Sequence, residues 1–152
     1  MRMKRIITLA FFCCLFTLPA LAQKTYLYHS SKHIYNDVVS KNDKSVYLTF
    51  SGNSLYESDR YGNFTGRSVY KYYGTKDGNR YYYMWTEPAY YGSSSSIYSG
   101  YDKNFGYIVS SDYSVVNYFI LLQGYVSTDV YYRTTEEALK KKKSDQIPGL
   151  IH

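Results

Sequence analysis

Reactive side chains are few and poorly arranged for catalysis in this chain of 152 residues. His29 and His33 are four apart, a spacing that on a helix would set two metal ligands on one face. They stand instead in a Ser-, Lys- and Asn-rich stretch, and no third ligand follows at a suitable distance. No metal and no other cofactor is expected. Acyl transfer by serine needs a nucleophile on a constrained turn, and no Gly-x-Ser-x-Gly pattern exists. Glycoside hydrolysis needs two carboxylates about 5 to 9 Å apart across a cleft. Glu57, Asp59 and Glu87 are the candidates, each where strand ends and turns ordinarily place acids. The run from Glu57 to Gly62 echoes the start of a calcium loop. However, Tyr61 fills the fifth position, and Ser68 stands where the closing bidentate Glu belongs. A plain β-turn is expected there, and no catalytic residue is assigned.

What the chain has in quantity is tyrosine: 22, beside 7 Phe and 1 Trp, with every Tyr between Tyr26 and Tyr132. Tyr favours strands, packs in cross-strand pairs and keeps a polar tip that seeks water or a partner. On one face of a sheet such rings can stack on sugar rings while their hydroxyls, with Asn and Ser, bond the sugar hydroxyls. They also give large contact area for few rotatable bonds. Tyr70, Tyr72, Tyr81, Tyr83 and Trp85 form the expected ligand-binding patch. Because Leu, Ile and Val are scarce, the same rings are also candidates for the core.

The elements that would position them read as short strands divided by turn residues. Tyr26–Tyr28 opens the series. Ser45–Phe50 alternates cleanly, with Val46, Leu48 and Phe50 on one face, the mark of a half-buried strand. Leu55–Ser58 follows. Ser68–Tyr73 and Arg80–Thr86 flank Asp77-Gly78, a tight hairpin turn. A two-residue loop sets Tyr72 against Tyr83 and Tyr70 against Trp85; a glycine bulge shifts every pairing by one. Residues 87–99 read as a long connection. Gly106–Ser110, Val115–Leu122 and Asp129–Arg133 complete the sheet. Val115–Leu122 is apolar on both faces, so it is expected to be central and most buried. Short connections favour a meander.

The N-terminus has the form of a secretory signal peptide over 1–22. Arg2, Lys4 and Arg5 precede the apolar run Ile6–Leu18 and the small-x-small site Ala20-Leu21-Ala22. Cys13 and Cys14 lie inside that run, so the exported chain holds no thiol, and disulfides and Cys-bound zinc are excluded. Without Arg2, Lys4 and Arg5 the formal net charge of +6 falls to +3, and without Lys140–Lys143 as well the remainder is −1. The body is near neutral, which offers nucleic acid no basic face. Residues 134–152 read as a short helix with a Thr-x-x-Glu start and a tail, in which Ile147, Leu150 and Ile151 are candidates to tuck onto the sheet.

The stretches Leu55–Asn63, Tyr70–Tyr72, Tyr113–Asn117 and Val130–Thr134 resemble a group of small secreted, Tyr-rich β-proteins of unknown function from gut-type anaerobic bacteria. In that group prolines tend to follow the last strand, where this chain has Glu136, Glu137 and the lysines. The resemblance implies an exported β-domain and transfers no activity.

The sequence therefore predicts one all-β domain over 23–133, an antiparallel meander barrel or sandwich of about seven or eight strands, with a short C-terminal helix. It predicts a periplasmic or extracellular location and no membrane span, since spanning β-strands need about 9 to 11 residues and those read here run shorter. The function expected is non-catalytic binding of a glycan or protein surface. The alternatives are an envelope interaction subunit without a small ligand and, last, a small hydrolase.

Overall fold

The computed structural model describes residues 22–87 and 100–146. The segment expected to be a signal peptide (apart from Ala22), nearly all of the 87–99 connection, and Ile147, Leu150 and Ile151 lie outside the described residues. The strands are β1 (Lys24–Tyr35), β2 (Val38–Ser51), β3 (Ser54–Ser58), β4 (Phe64–Lys76), β5 (Asn79–Thr86), β6 (Gly100–Val109), β7 (Val115–Leu122) and β8 (Tyr125–Thr134), followed by helix α1 (Glu136–Asp145). Each strand pairs antiparallel with the next and β8 returns to β1, closing an eight-stranded barrel. The meander is as expected, and closure selects the barrel over the sandwich.

Two expectations about strands need correction. β1, β2 and β4 have 12, 14 and 13 residues, well beyond the expected lengths. The segment 29–44 is strand although it lacks apolar alternation, because its inward side chains meet a polar interior rather than an oily one. Asn36 and Asp37 (φ 43° and 68°) turn it as a tight primed hairpin. The second correction concerns β7. In a closed barrel every strand has two neighbours and none is central; Leu121 and Leu122, at the end of β7, are 39 % and 47 % exposed.

Tyrosine fills the interior. Five of the ten residues in the core cluster are Tyr28, Tyr70, Tyr82, Tyr107 and Tyr131, packed with Leu48, Phe50, Leu55, Val109 and Val116. Burial pushes all five phenols above their ordinary pKa, Tyr82 to about 12. One end of the barrel, called lower here, carries the β6–β7 turn. There Tyr113, at φ 61°, lays its ring on Phe50 (centroids 4.9 Å) and accepts the Tyr28 hydroxyl on its carbonyl at 2.8 Å. Arg80 rests over the Tyr113 ring at 4.6 Å and donates to Ser111 O, so this end is sealed. Toward the upper end the interior turns polar around buried Asp129. It takes hydrogen bonds from His33 Nδ1 (2.5 Å), Asn42 Nδ2 (3.2 Å) and Lys44 Nζ (3.4 Å). A buried carboxylate survives only with such partners.

Helix α1 begins at Thr135, whose Oγ1 accepts from Ala138 N at 3.2 Å. The expected Thr-x-x-Glu pattern starts one residue earlier, at Thr134, so the reciprocal half of a capping box does not form at the observed cap. The helix buries no residue fully, and only half-buried Leu139 and a Tyr47–Glu136 hydrogen bond seat it.

Candidate functional site

The β4–β5 hairpin turns on Asp77 and Gly78 at φ 52° and 78°, the expected two-residue primed turn. Its pairing nevertheless shifts, because Tyr73 is an extra residue between Tyr72 and Gly74. Beyond that bulge Tyr72 faces Tyr82, Lys71 faces Tyr83 and Tyr70 faces Met84. The five expected patch residues therefore divide between the two faces of the wall. Tyr81, Tyr83 and Trp85 point outward. Tyr70 is a core residue, its ring 4.7 Å from Tyr107 and perpendicular to it. Tyr72 lies on the inner side against Tyr82, near the lower rim, with its hydroxyl 2.8 Å from Thr75 Oγ1.

The same bulge brings Tyr73 to the outer face, where β6 completes a strip of rings. Tyr73 lies 5.1 Å from Tyr83 and 5.3 Å from Tyr101, and Tyr101 lies 5.2 Å from Trp85. All three pairs are edge-to-face, the arrangement the ring quadrupole favours. Phe119 of β7 extends the strip to a fourth strand, 6.0 Å from Tyr83. Its ring crosses the β6 backbone at Gly106, where a Cβ would meet Tyr82 O at 2.5 Å and Phe119 Cζ at 2.6 Å. The absence of a side chain there is what lets Phe119 support Tyr83.

Two lysines sit on this strip. Lys71 Nζ is 4.1 Å from the Trp85 centroid. A second bulge leaves residues 103–105 of β6 unopposed by β5, and Lys103 Nζ stands 4.2 Å from the Tyr73 centroid. Lys103 also donates to the Tyr73 hydroxyl at 2.8 Å, which raises its pKa and keeps it charged. The Trp85 indole donates to Glu87 Oε1 at 2.9 Å, and Tyr101 donates to Tyr72 O at 2.9 Å. Beside the strip a groove of about 330 Å³ runs between Tyr73, Tyr81 and Tyr83 and is floored by Gly74. Such a face can do two things: offer flat apolar rings to a ligand, and offer ammonium groups to any acid the ligand carries.

The other candidates are dispersed. His29 faces outward, with Ser45 Oγ 3.0 Å from Nδ1 and Asp43 Oδ1 3.6 Å from Nε2, whereas His33 faces inward to Asp129. A Ser–His–Asp alignment thus exists at His29, but the Asp43 side chain is 82 % exposed and beyond hydrogen-bond distance. Among the described residues no group of three or more His, Cys, Asp or Glu is placed to hold a metal ion. Asp59 is spent on its own turn, accepting from Tyr61 N, Asn63 N and Asn63 Nδ2, which hold its pKa below the usual range. Glu57 lines an internal cavity, while Glu87 sits with Trp85 outside. A cavity of about 670 Å³ lies in the seam between α1 and the β1–β2 hairpin; Asp43 stands there among Lys41, Lys142 and Lys143.

Tyr73, Tyr101, Phe119, Lys71 and Lys103 were not legible as site residues. The one local signal was Gly74 directly after Tyr72-Tyr73, since a glycine within a strand often marks a bulge. Compared with family models, with curated proteins and with solved structures, the chain matches none.

Proposed function

We propose that this protein is an exported, non-catalytic binding module that takes an acidic glycan along the outer face of β4, β5 and β6. The observation that carries the reading is the strip Tyr83–Tyr73–Tyr101–Trp85 with Lys71 and Lys103 resting on its rings. The C–H faces of sugars suit the rings, and an ammonium already held on a ring face is pre-placed for a uronate-type carboxylate. The absence of catalysis is supported by Glu57 and Glu87 lying on opposite faces of the wall, where they cannot flank one glycosidic bond. Export is supported by the charged and apolar N-terminal pattern. Among the described residues no helix is long and apolar enough to cross a membrane. A spanning β-barrel is disfavoured by an apolar, aromatic core inside the wall and by lysines outside it, the reverse of that class.

Calorimetric titration with oligogalacturonate and with neutral cello-oligosaccharides tests this. The acidic chain is expected to bind at least tenfold tighter. Trp85→Ala and Tyr73→Ala are expected to abolish binding while leaving the circular dichroism of the fold intact. No binding to either sugar, or affinity that survives both substitutions, removes the reading.

A second reading, an envelope interaction subunit, is favoured by a separate feature. The β1–β2 and β7–β8 tips are tied by Asn36 N to Val126 O (2.9 Å) and by Val126 N to Asn36 Oδ1 (2.9 Å). They expose Tyr35, Val38, Val39, Leu122, Tyr125 and Val126. An apolar patch of this kind marks interaction sites. Cross-linking in native envelopes that captures no partner through Val38 or Leu122 counts against it.

A further inference from the structure

We infer that the upper half of the barrel interior is a second binding site, for a small quaternary ammonium compound, distinct from the outer aromatic strip. A cavity of about 510 Å³ lies there, within the range of small-molecule sites. Glu57 stands on its wall, with Tyr70, Tyr118, Phe105 and Met84. β3 alternates Leu55 and Glu57 onto the inner face, Leu55 opposite Phe50 and Glu57 opposite Leu48. Leu55 is fully buried, while Glu57 is open to solvent through the cavity.

Glu57 has no counter-ion among the described residues: the ion pairs there join His29 to Asp43, and His33 and Lys44 to Asp129. Arg67 sits on the same cavity wall, in the bulged stretch where β3 and β4 lose register, yet it is exposed and forms no ion pair with Glu57. The carboxylate's field reaches across the interior. Burial is the main cause that raises the Tyr70, Tyr107 and Tyr131 phenols, and Glu57 adds to it, next after burial at Tyr107, after Asp129 at Tyr131 and after Tyr118 at Tyr70. Gly66 permits this placement, since a Cβ there would lie 3.1 Å from Glu57 Cβ.

Two rings, Tyr70 and Tyr118, share the cavity lining with the acid, perpendicular with centroids 6.2 Å apart. Tyr107 is not part of that lining; it packs in the core against both, 4.7 Å from Tyr70 and 4.8 Å from Tyr118, and fixes their positions. A lone carboxylate selects a cation. Ring faces with Phe105 and Met84 beside them reject a strongly hydrated ammonium and accept one whose charge is sheathed in methyl groups. Together these requirements describe tetramethylammonium or choline.

The test is calorimetry of the whole exported chain with choline chloride, with tetramethylammonium chloride and with 3,3-dimethylbutan-1-ol, the neutral shape analogue of choline. Both cations are expected to saturate one site, with the neutral alcohol at least tenfold weaker. Glu57→Gln is expected to lose at least tenfold in affinity with an unchanged melting temperature, because Glu57 is exposed and unpaired. Trp85→Ala, which disables the outer strip, is expected to leave choline binding intact, so the two sites fail separately. No saturable binding, equal binding of the neutral alcohol, or Glu57→Gln binding at wild-type strength overturns the inference.

Discussion

Replacing Gly106 by alanine probes the element that supports the aromatic strip. In most strands this change is mildly stabilising, because alanine loses less backbone entropy on folding, by about 0.4–1 kcal/mol. Here the added methyl would stand 2.5 Å from Tyr82 O, 2.6 Å from Phe119 Cζ and 2.9 Å from Phe119 Cε1, against 3.4 Å or more for ordinary contact. The phenyl ring can rotate away; the Tyr82 carbonyl belongs to the β5–β6 ladder and cannot. Overpacking of this kind costs about 1–3 kcal/mol, and the backbone clash places Gly106→Ala at or above the upper figure. For a domain of this size that lowers the melting temperature by roughly 10 °C or more. Differential scanning calorimetry of Gly106→Ala, Phe119→Leu and the double variant separates the two clashes. Phe119→Leu relieves the ring contact only, so the double variant is expected to recover part of the loss and no more. Gly74→Ala, where no atom lies within 4 Å of the added methyl, is the control and is expected to be neutral or slightly stabilising. A Gly106→Ala protein melting within about 2 °C of wild type would falsify the packing described for β5, β6 and β7.

Two further predictions concern pH. The exposed Asp112 carboxylate is held at about 2 by Ser114 Oγ and N and by Ser110 Oγ in the β6–β7 turn. A depressed folded value means its contribution is present above the unfolded value, near 4, and is lost as pH falls through about 2. The melting-temperature gap between wild type and Asp112→Asn is therefore expected to close over that interval; a gap that ignores pH contradicts the assignment. At the alkaline end, Tyr28, Tyr70, Tyr107 and Tyr131 are raised by burial and Tyr82 to about 12. A folded value above the unfolded one, near 10, leaves stability whole below pH 10 and erodes it as pH climbs toward the folded values. Tyrosinate absorbance is expected to rise in two stages, the second coincident with loss of the sheet signal. One smooth rise with the sheet signal unchanged speaks against a tyrosine core.

The all-β meander and the Asp77-Gly78 turn were legible because each rests on a local rule: alternation in Ser45–Phe50 and positive φ at the turn. The division of the patch was not. In Tyr81-Tyr82-Tyr83 adjacent positions are chemically identical, so nothing in the residue types says that Tyr82 is core and its neighbours are outside. The side-chain period of a strand is two, and the single extra residue Tyr73 was enough to send Tyr70 and Tyr72 inward. The lengths of β1 and β2 escaped for a related reason. His33, Asn42 and Lys44 look like loop residues until Asp129, some ninety positions away, is seen to gather them inside the wall.

The outer strip is proposed to be an open face for an acidic ligand, and Trp85 is its only tryptophan reporter. Iodide and caesium quenching of its emission should be compared with and without saturating oligogalacturonate. With Lys71 Nζ 4.1 Å from the indole centroid, iodide is expected to quench more strongly than caesium, and the oligosaccharide is expected to cut iodide quenching severalfold. Equal quenching by both ions, unchanged by the sugar, contradicts the account.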